Sequence, residues 1–301
     1  MTAPDHVTLR VPVRSAGAVP LPRRLADLVI LVRLPSCLAG GASVLLGVHL
    51  AGSEAGLPVR RACLGVLSML FAVAAANAVN DILDISTDML AKPNRPLPAG
   101  RLTARAAWTI SAATALAAVI LAAPLGGYAV PWVIVLLSVA FLYSYRAKST
   151  MLLGNAVVAL CASSPVLFGA LIADRVVAVT WIGAGISFMF MLTYETLKTI
   201  ADLDTDAANG IRTFAATAGL RPAVLLLRGL VTLLTLAATA AAMSCPHPVV
   251  YLLALLVTFA LPAWSAIVAL GRLPRGKAIG SAVLLMRLAW FLGIVALWLL
   301  R

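Results

Sequence analysis

The chain has 301 residues, of which 62% are hydrophobic, with 23 Lys and Arg against 11 Asp and Glu. A mean hydropathy of +1.03 excludes an ordinary soluble domain and predicts an all-α, polytopic membrane protein. The net charge of +12 then belongs to loops and to anionic lipid headgroups rather than to a nucleic-acid partner.

Residues 1–24 are polar and basic, with Arg10, Arg14, Arg23 and Arg24. No apolar stretch with a small-residue cleavage site follows, so no signal peptide is expected and the segment reads as a cytoplasmic tail. A membrane domain is expected over 25–301. Apolar segments follow at about 25–50, 60–82, 104–123, 127–145, 151–172, 177–199, 221–243, 248–271 and 279–300. Each can cross roughly 30 Å of hydrocarbon at about 1.5 Å per residue, which predicts nine transmembrane helices in one bundle. With the N-terminus in the cytoplasm, Lys92, Arg95, Arg101, Arg105, Arg146, Lys148, Arg212, Arg221, Arg272, Arg275 and Lys277 all fall on the cytoplasmic side. The other face holds Arg60, Arg61, Arg175 and Arg301, and this bias fixes the orientation.

Seven of the 11 acids lie in two short stretches. The first follows the second apolar segment and reads NAVNDILDISTDMLAKPNRPLPAG, residues 77–100. On a helix with Asn80 at zero, Asp84 falls at roughly 40°, Asp88 at 80° and Asp81 at 100°. Carboxylates crowded on one arc repel one another, and a bound divalent cation relieves them. Oxygen ligands of this kind suit Mg²⁺, held by Asn80, Asp81, Asp84 and Asp88. Asn77, one turn above Asp81, is placed to orient a ligand carboxylate. In the loop that follows, Lys92 and Arg95 are expected to contact phosphate oxygens, and Pro93, Pro96 and Pro98 stiffen it.

At the foot of the fourth segment stand Tyr143, Tyr145, Arg146 and Lys148. They form an aromatic belt with snorkelling cations, or else Lys148 contacts diphosphate or acceptor and a tyrosine ring faces a cation. Tyr194 in the sixth segment leaves the same choice open between packing and ligand contact.

The second acidic stretch reads YETLKTIADLDTDAANGIRTFAATAG, residues 194–219. With Asp202 at zero, Glu195 falls at roughly 20°, Asp206 at 40° and Asp204 at 200°. Asp202 and Asp206 are therefore expected to bind metal, with Asp204 facing solvent, provided one helix continues to Asp206; Gly210 is expected to end it. Each stretch closes a helix that runs toward the cytoplasm, where the negative end of the helix dipole favours cations. Asp84 and Asp202 lie 118 positions apart, which suggests two four-helix halves plus a ninth helix. The cysteines and histidines are scattered, with no CxxC or HExxH, so no zinc site is expected.

The run Asn80-Asp81-Ile82-Leu83-Asp84-Ile85-Ser86-Thr87-Asp88 resembles the NDxxDxxxD signature of the UbiA family of intramembrane prenyltransferases, and KPNRPLPAG resembles that family's loop. DLDTDAANGIRT is similar to the family's second motif, carried by Asp202 and Asp206. Where several branches of the family have a further Asp, this chain has Thr199. The resemblance implies an enzyme that transfers a prenyl group from an isoprenyl diphosphate to a lipophilic or aromatic acceptor, and a bacterial cell membrane is its expected location. It also implies two Mg²⁺ ions bridging the diphosphate, with Mn²⁺ able to substitute, and catalytic roles for Asp84, Asp88, Asp202, Asp206 and Lys148. Lys92, Arg95 and Arg212 would assist at the diphosphate. A terpene cyclase acting without an acceptor would carry the same motifs, while a transporter would be expected to place acids at the midplane.

Overall fold

The computed structural model describes residues 20–52, 59–146, 150–270 and 275–301, with no side-chain placement for 275–278. Every regular element among them is helical. Eight of the helices are long and apolar enough to cross a membrane: α2 (Leu34–Ala51), α3 (Val59–Leu83), α5 (Ala104–Ala122), α6 (Ala129–Arg146), α7 (Leu152–Ile172), α11 (Leu220–Ala241), the α12–α13 rod (Pro248–Leu270) and α14 (Arg275–Trp298). The protein is thus an integral membrane protein. The expected sixth segment is α8 (Ala178–Ala201), which is long but carries Glu195 and Lys198, so the apolar count among the described residues is eight where nine were expected. Short helices fill the connections: α1 (Leu21–Val32), α4 (Ile85–Ala91), α9 (Leu203–Ala208) and α10 (Phe214–Ala218).

The expected first segment, 25–50, is not one helix. Arg33 adopts a left-handed conformation, φ 51° and ψ 59°, and separates α1 from α2. Pro35 follows in the first turn of α2, where a missing N–H costs nothing. The segment at 248–271 is also interrupted. A π-helical turn, Leu256–Ala260, lies between α12 and α13 just before Pro262, relieving the ladder where proline supplies no donor. That turn seats Phe259 on Gly293, where a Cβ would come within 2.5 Å of the ring.

Two apolar cores form. One joins α2, α3, α5, α6 and α7 around Val44, Met69, Ala118, Val133 and Phe168. The other joins α7, α8 and the helices from α11 to α14, centred on Phe190, which meets Phe259 edge-on at 4.9 Å and stacks on Trp290 at 5.5 Å. The seam between them is the α2–α7 crossing. A Cβ on Gly47 would lie 1.9 Å from the Val166 carbonyl, and one on Gly169 would lie 2.0 Å from the Val44 carbonyl. Only glycine permits backbones this close. At the end of the bundle away from the acidic stretches, α2 stops at Gly52, whose carbonyl accepts hydrogen bonds from Arg175 and Arg301. These cations satisfy a helix end that would otherwise leave bare acceptors.

Candidate active site

The first acidic stretch bends where α3 gives way to α4. Asp84 is the hinge, at φ −96° and ψ 4°, in the sparsely allowed region between helix and strand that recurs at functional sites. Asp81 and Asp88 flank it at only 3% and 4% exposure. Buried carboxylates require cations, and guanidinium groups supply them. Arg33 Nη2 lies 2.5 Å from Asp81 Oδ1 and 3.0 Å from Asn80 Oδ1. Arg95 Nη1 bridges Asp81 at 3.0 Å and Asp88 at 2.7 Å, with Lys92 Nζ at 3.7 Å from Asp88. Here Lys92 and Arg95 touch the acids themselves. Asn77 donates from Nδ2 to the Val32 carbonyl at 2.9 Å, pinning the end of α1 beside Arg33.

The loop after α4 is seated by Pro96 and Leu97, both buried, with Leu97 packed in a cluster with Leu31, Ile82 and Ala107. Arg101 locks it further, donating from Nε to Asp27 at 3.0 and 3.2 Å and from Nη2 to the Asn94 carbonyl at 2.9 Å. Gly100 turns at φ 67°, a conformation that suits glycine.

The second stretch repeats the bend. Asp202 is the hinge between α8 and α9 at φ −93° and ψ 7°, so the single helix to Asp206 expected from the sequence is two. Amide bonding still spans the break, from Asp202 N to the Lys198 carbonyl and from Asp206 N to the Asp202 carbonyl, each 2.8 Å. Gly210 stops the chain at φ 67°. Asp202 and Asp204 are exposed and Asp206 is half-buried. Inside the bundle Glu195, 8% exposed, accepts from Lys198 Nζ at 2.8 and 2.9 Å. Lys198 also lies 5.6 Å above the Tyr194 ring, and the Tyr194 hydroxyl accepts from Arg287 Nε at 3.2 Å. Thr199 gives its hydroxyl proton to the Thr196 carbonyl. The Arg212 side chain is exposed, and its carbonyl accepts from Met151 N at 3.0 Å, tying this stretch to the start of α7.

The two stretches share one space. Tyr143, half-buried at the foot of α6, feels the charges of Asp84, Glu195, Asp206 and Arg33 together, and Lys198 feels Arg33 as well. Tyr145 instead lies exposed beneath Arg146, 5.6 Å from its ring, as a belt residue. Lys148 lies outside the described residues. Among the described residues, no three Asp, Glu, His or Cys side chains converge closely enough to hold a metal ion. The donor set nonetheless suits a hard cation, since carboxylate and amide oxygens line the space. Arg33, Lys198 and Arg287 were not singled out in the sequence. The signal was present, since each is a cation inside a segment otherwise apolar enough to cross the membrane.

Paired acidic hinges at one end of a helical membrane bundle, with guanidinium groups held on the first, define a membrane-embedded enzyme built to handle a charged group beside lipid. The chain belongs to the UbiA prenyltransferase family, matching it over residues 41–289, and is a prenyltransferase. It is 33% identical to the digeranylgeranylglyceryl phosphate synthase of Sulfurisphaera tokodaii over 194 residues, 63% of this chain and 69% of that protein. Its fold resembles the apo structure of a UbiA homolog from Aeropyrum pernix K1, with a TM-score of 0.69 and 20% identity over 86% of this chain and 96% of that one. It also resembles a UbiA homolog from Archaeoglobus fulgidus bound to GPP and Mg²⁺, with a TM-score of 0.66 and 15% identity over 90% and 99%. These relatives are archaeal and lend no support to a bacterial membrane.

Proposed function

We propose that the chain transfers a prenyl group from an isoprenyl diphosphate to a lipophilic acceptor that carries a glyceryl phosphate. The observation that carries this reading is the pair of like-bent acidic hinges, Asp84 and Asp202, each ending a long helix of a membrane bundle, with the guanidinium groups of Arg33 and Arg95 held on the first. The names of the sequence relatives support the acceptor class, and the Archaeoglobus neighbour supports a diphosphate donor with Mg²⁺.

Asn80, Asp84 and Asp88 on one side, with Asp202 and Asp206 on the other, would hold two Mg²⁺ ions. When bound, Mg²⁺ neutralises the diphosphate and makes it a better leaving group. Arg33, shared by Asn80 and Asp81, would hold that pair in place, with Asp81 a further candidate ligand. Arg95 and Lys92 turn from Asp88 toward the diphosphate oxygens, exchanging one anion for another. Tyr143 presents an aromatic face to the developing allylic cation, while Tyr194 is covered by Lys198 and serves to position it. The apolar walls keep water from that cation; as the donor C–O bond breaks and diphosphate leaves with its electron pair, the acceptor hydroxyl oxygen forms the new C–O bond and its proton passes to the departing diphosphate. In this reading α8 crosses the membrane as the ninth span and the hinges face the cytoplasm, as the Lys and Arg bias requires.

The test is incubation of purified protein with labelled geranylgeranyl diphosphate, Mg²⁺, and either geranylgeranylglyceryl phosphate or an aromatic acid as acceptor. A prenylated glyceryl phosphate is expected. A cyclised terpene formed from the diphosphate alone, or product only with the aromatic acid, would overturn the reading.

A further inference from the structure

Arg287 has no role in the reading above, yet it occupies a costly place. It sits within Ile279–Trp298, a stretch of mean hydropathy 2.0, about 12 Å from the end nearer the acidic hinges at 1.5 Å per residue. The residue is exposed on the bundle surface. Among the described residues no carboxylate pairs with it, and its hydrogen bond runs from Nε to the Tyr194 hydroxyl. An unpaired cation at this depth is expensive unless it serves a function.

A snorkelling arginine would extend along its helix toward headgroup oxygens. This one turns across the α8–α14 contact onto Tyr194. Behind Tyr194 stands Lys198, paired with Glu195. The cluster therefore holds two cations and one carboxylate. Spending Nε on Tyr194 leaves the two terminal nitrogens of Arg287 as a fork directed to planar or tetrahedral oxyanions.

We propose that Arg287, positioned by Tyr194 and backed by Lys198, receives the oxyanion headgroup of a lipid-soluble molecule, a phosphate or carboxylate on an apolar tail, that reaches the protein from the bilayer along α14. The inference rests on the reading that an acceptor must arrive from the membrane. The same chemistry is offered by an acceptor substrate or by a bilayer phospholipid, and the test separates them.

Protein in nanodiscs of phosphatidylcholine, with the donor site filled by geranyl thiolodiphosphate and Mg²⁺, is titrated with radiolabelled dodecyl phosphate and, separately, dodecanol. Wild-type protein should bind the phosphate at least about tenfold tighter than the alcohol. Arg287→Gln should lose that preference, and Arg287→Lys should retain part of it. Equal affinity of the wild type for the two probes, or unchanged phosphate affinity in Arg287→Gln, overturns the proposal. Where Arg287→Gln does not fold by thermal melting, Arg287→Lys decides: wild-type affinity there overturns it. Geranyl diphosphate binding is measured in parallel and should be the same in all three proteins. Its loss in the wild type would defeat the donor reading while leaving the Arg287 result to stand or fall alone. Competition by phosphatidylglycerol added to the discs assigns the site to a bilayer lipid, and no competition assigns it to a substrate headgroup.

Discussion

The two acidic hinges have nearly the same backbone and opposite surroundings. Asp84 and Asp202 share dihedrals to within 3°, and each joins a long helix to a short one. Around Asp84 the neighbouring carboxylates are buried and already neutralised, by Arg33 from the α1–α2 break and by Arg95 from the following loop. Around Asp202 the carboxylates of Asp202 and Asp204 are exposed and that of Asp206 is half-buried, and Lys198 engages Glu195, one helical turn or more deeper. A carboxylate beside lipid needs either a permanent cation or access to water. Asp81 and Asp88 at the first hinge take the former solution, and Asp202 and Asp204 at the second have the latter. The bend is therefore common to both halves, while the means of holding charge is particular to each.

The largest expected effect tests what the hinges have in common. Removing divalent cations with EDTA should abolish turnover, and Mg²⁺ or Mn²⁺ should restore it; a prenyl-transfer assay with full activity in chelator would dissolve the pairing of the hinges. Next, Asp84→Ala, Asp88→Ala, Asp202→Ala and Asp206→Ala should each lower kcat by about 10²–10³, the scale of losing one preorganised electrostatic stabiliser. A hinge acid whose loss costs less than tenfold would mean that only one half carries the chemistry.

Stability should separate the halves. Arg95→Gln leaves Asp81 with Arg33 and Asp88 with the more distant Lys92, so it should cost about 3 kcal/mol, the lower end of what losing one partner from a buried ion pair costs. The corresponding basic residue after the second hinge, Arg212, is exposed, so Arg212→Gln should change stability by no more than about 0.5 kcal/mol. Denaturation of both variants in the same detergent checks the contrast, and equal losses would erase it. The smallest effect is expected for the exposed Asp204: Asp204→Ala should keep activity within about threefold, since a solvated carboxylate outside the shared space contributes little.

Spacing made much of this legible. Residue counting alone sets Asp204 apart from Asp206, and the structure leaves Asp204 exposed and Asp206 half-buried. The bends at Asp84 and Asp202 were not legible, because the amide bonds from position i to i−4 run through each hinge and leave the periodicity intact. Arg33 was hidden for a different reason. A hydropathy window averages one cation into its apolar neighbours, so 25–50 read as a single span although Arg-Leu-Pro marks the break. The pairing of Lys92 and Arg95 with Asp88 was not legible either, since sequence alone does not say that a cation near a carboxylate will pair with it rather than with a ligand.

The α2–α7 crossing has a local pseudo-symmetry. Val44 meets Gly169 while Val166 meets Gly47, and in each exchange the partner's counterpart lies 122 positions along. Contacts of that reciprocal form are what two copies of one chain make about a two-fold axis. Both helices run from the hinge end of the bundle to the Gly52 end, so the axis stands along the membrane normal rather than within its plane. An axis in the plane would have sent the second hinge to the opposite leaflet. A pseudo-two-fold along the helices instead leaves Asp84 and Asp202, each at the end of its long helix, at the same end of the bundle.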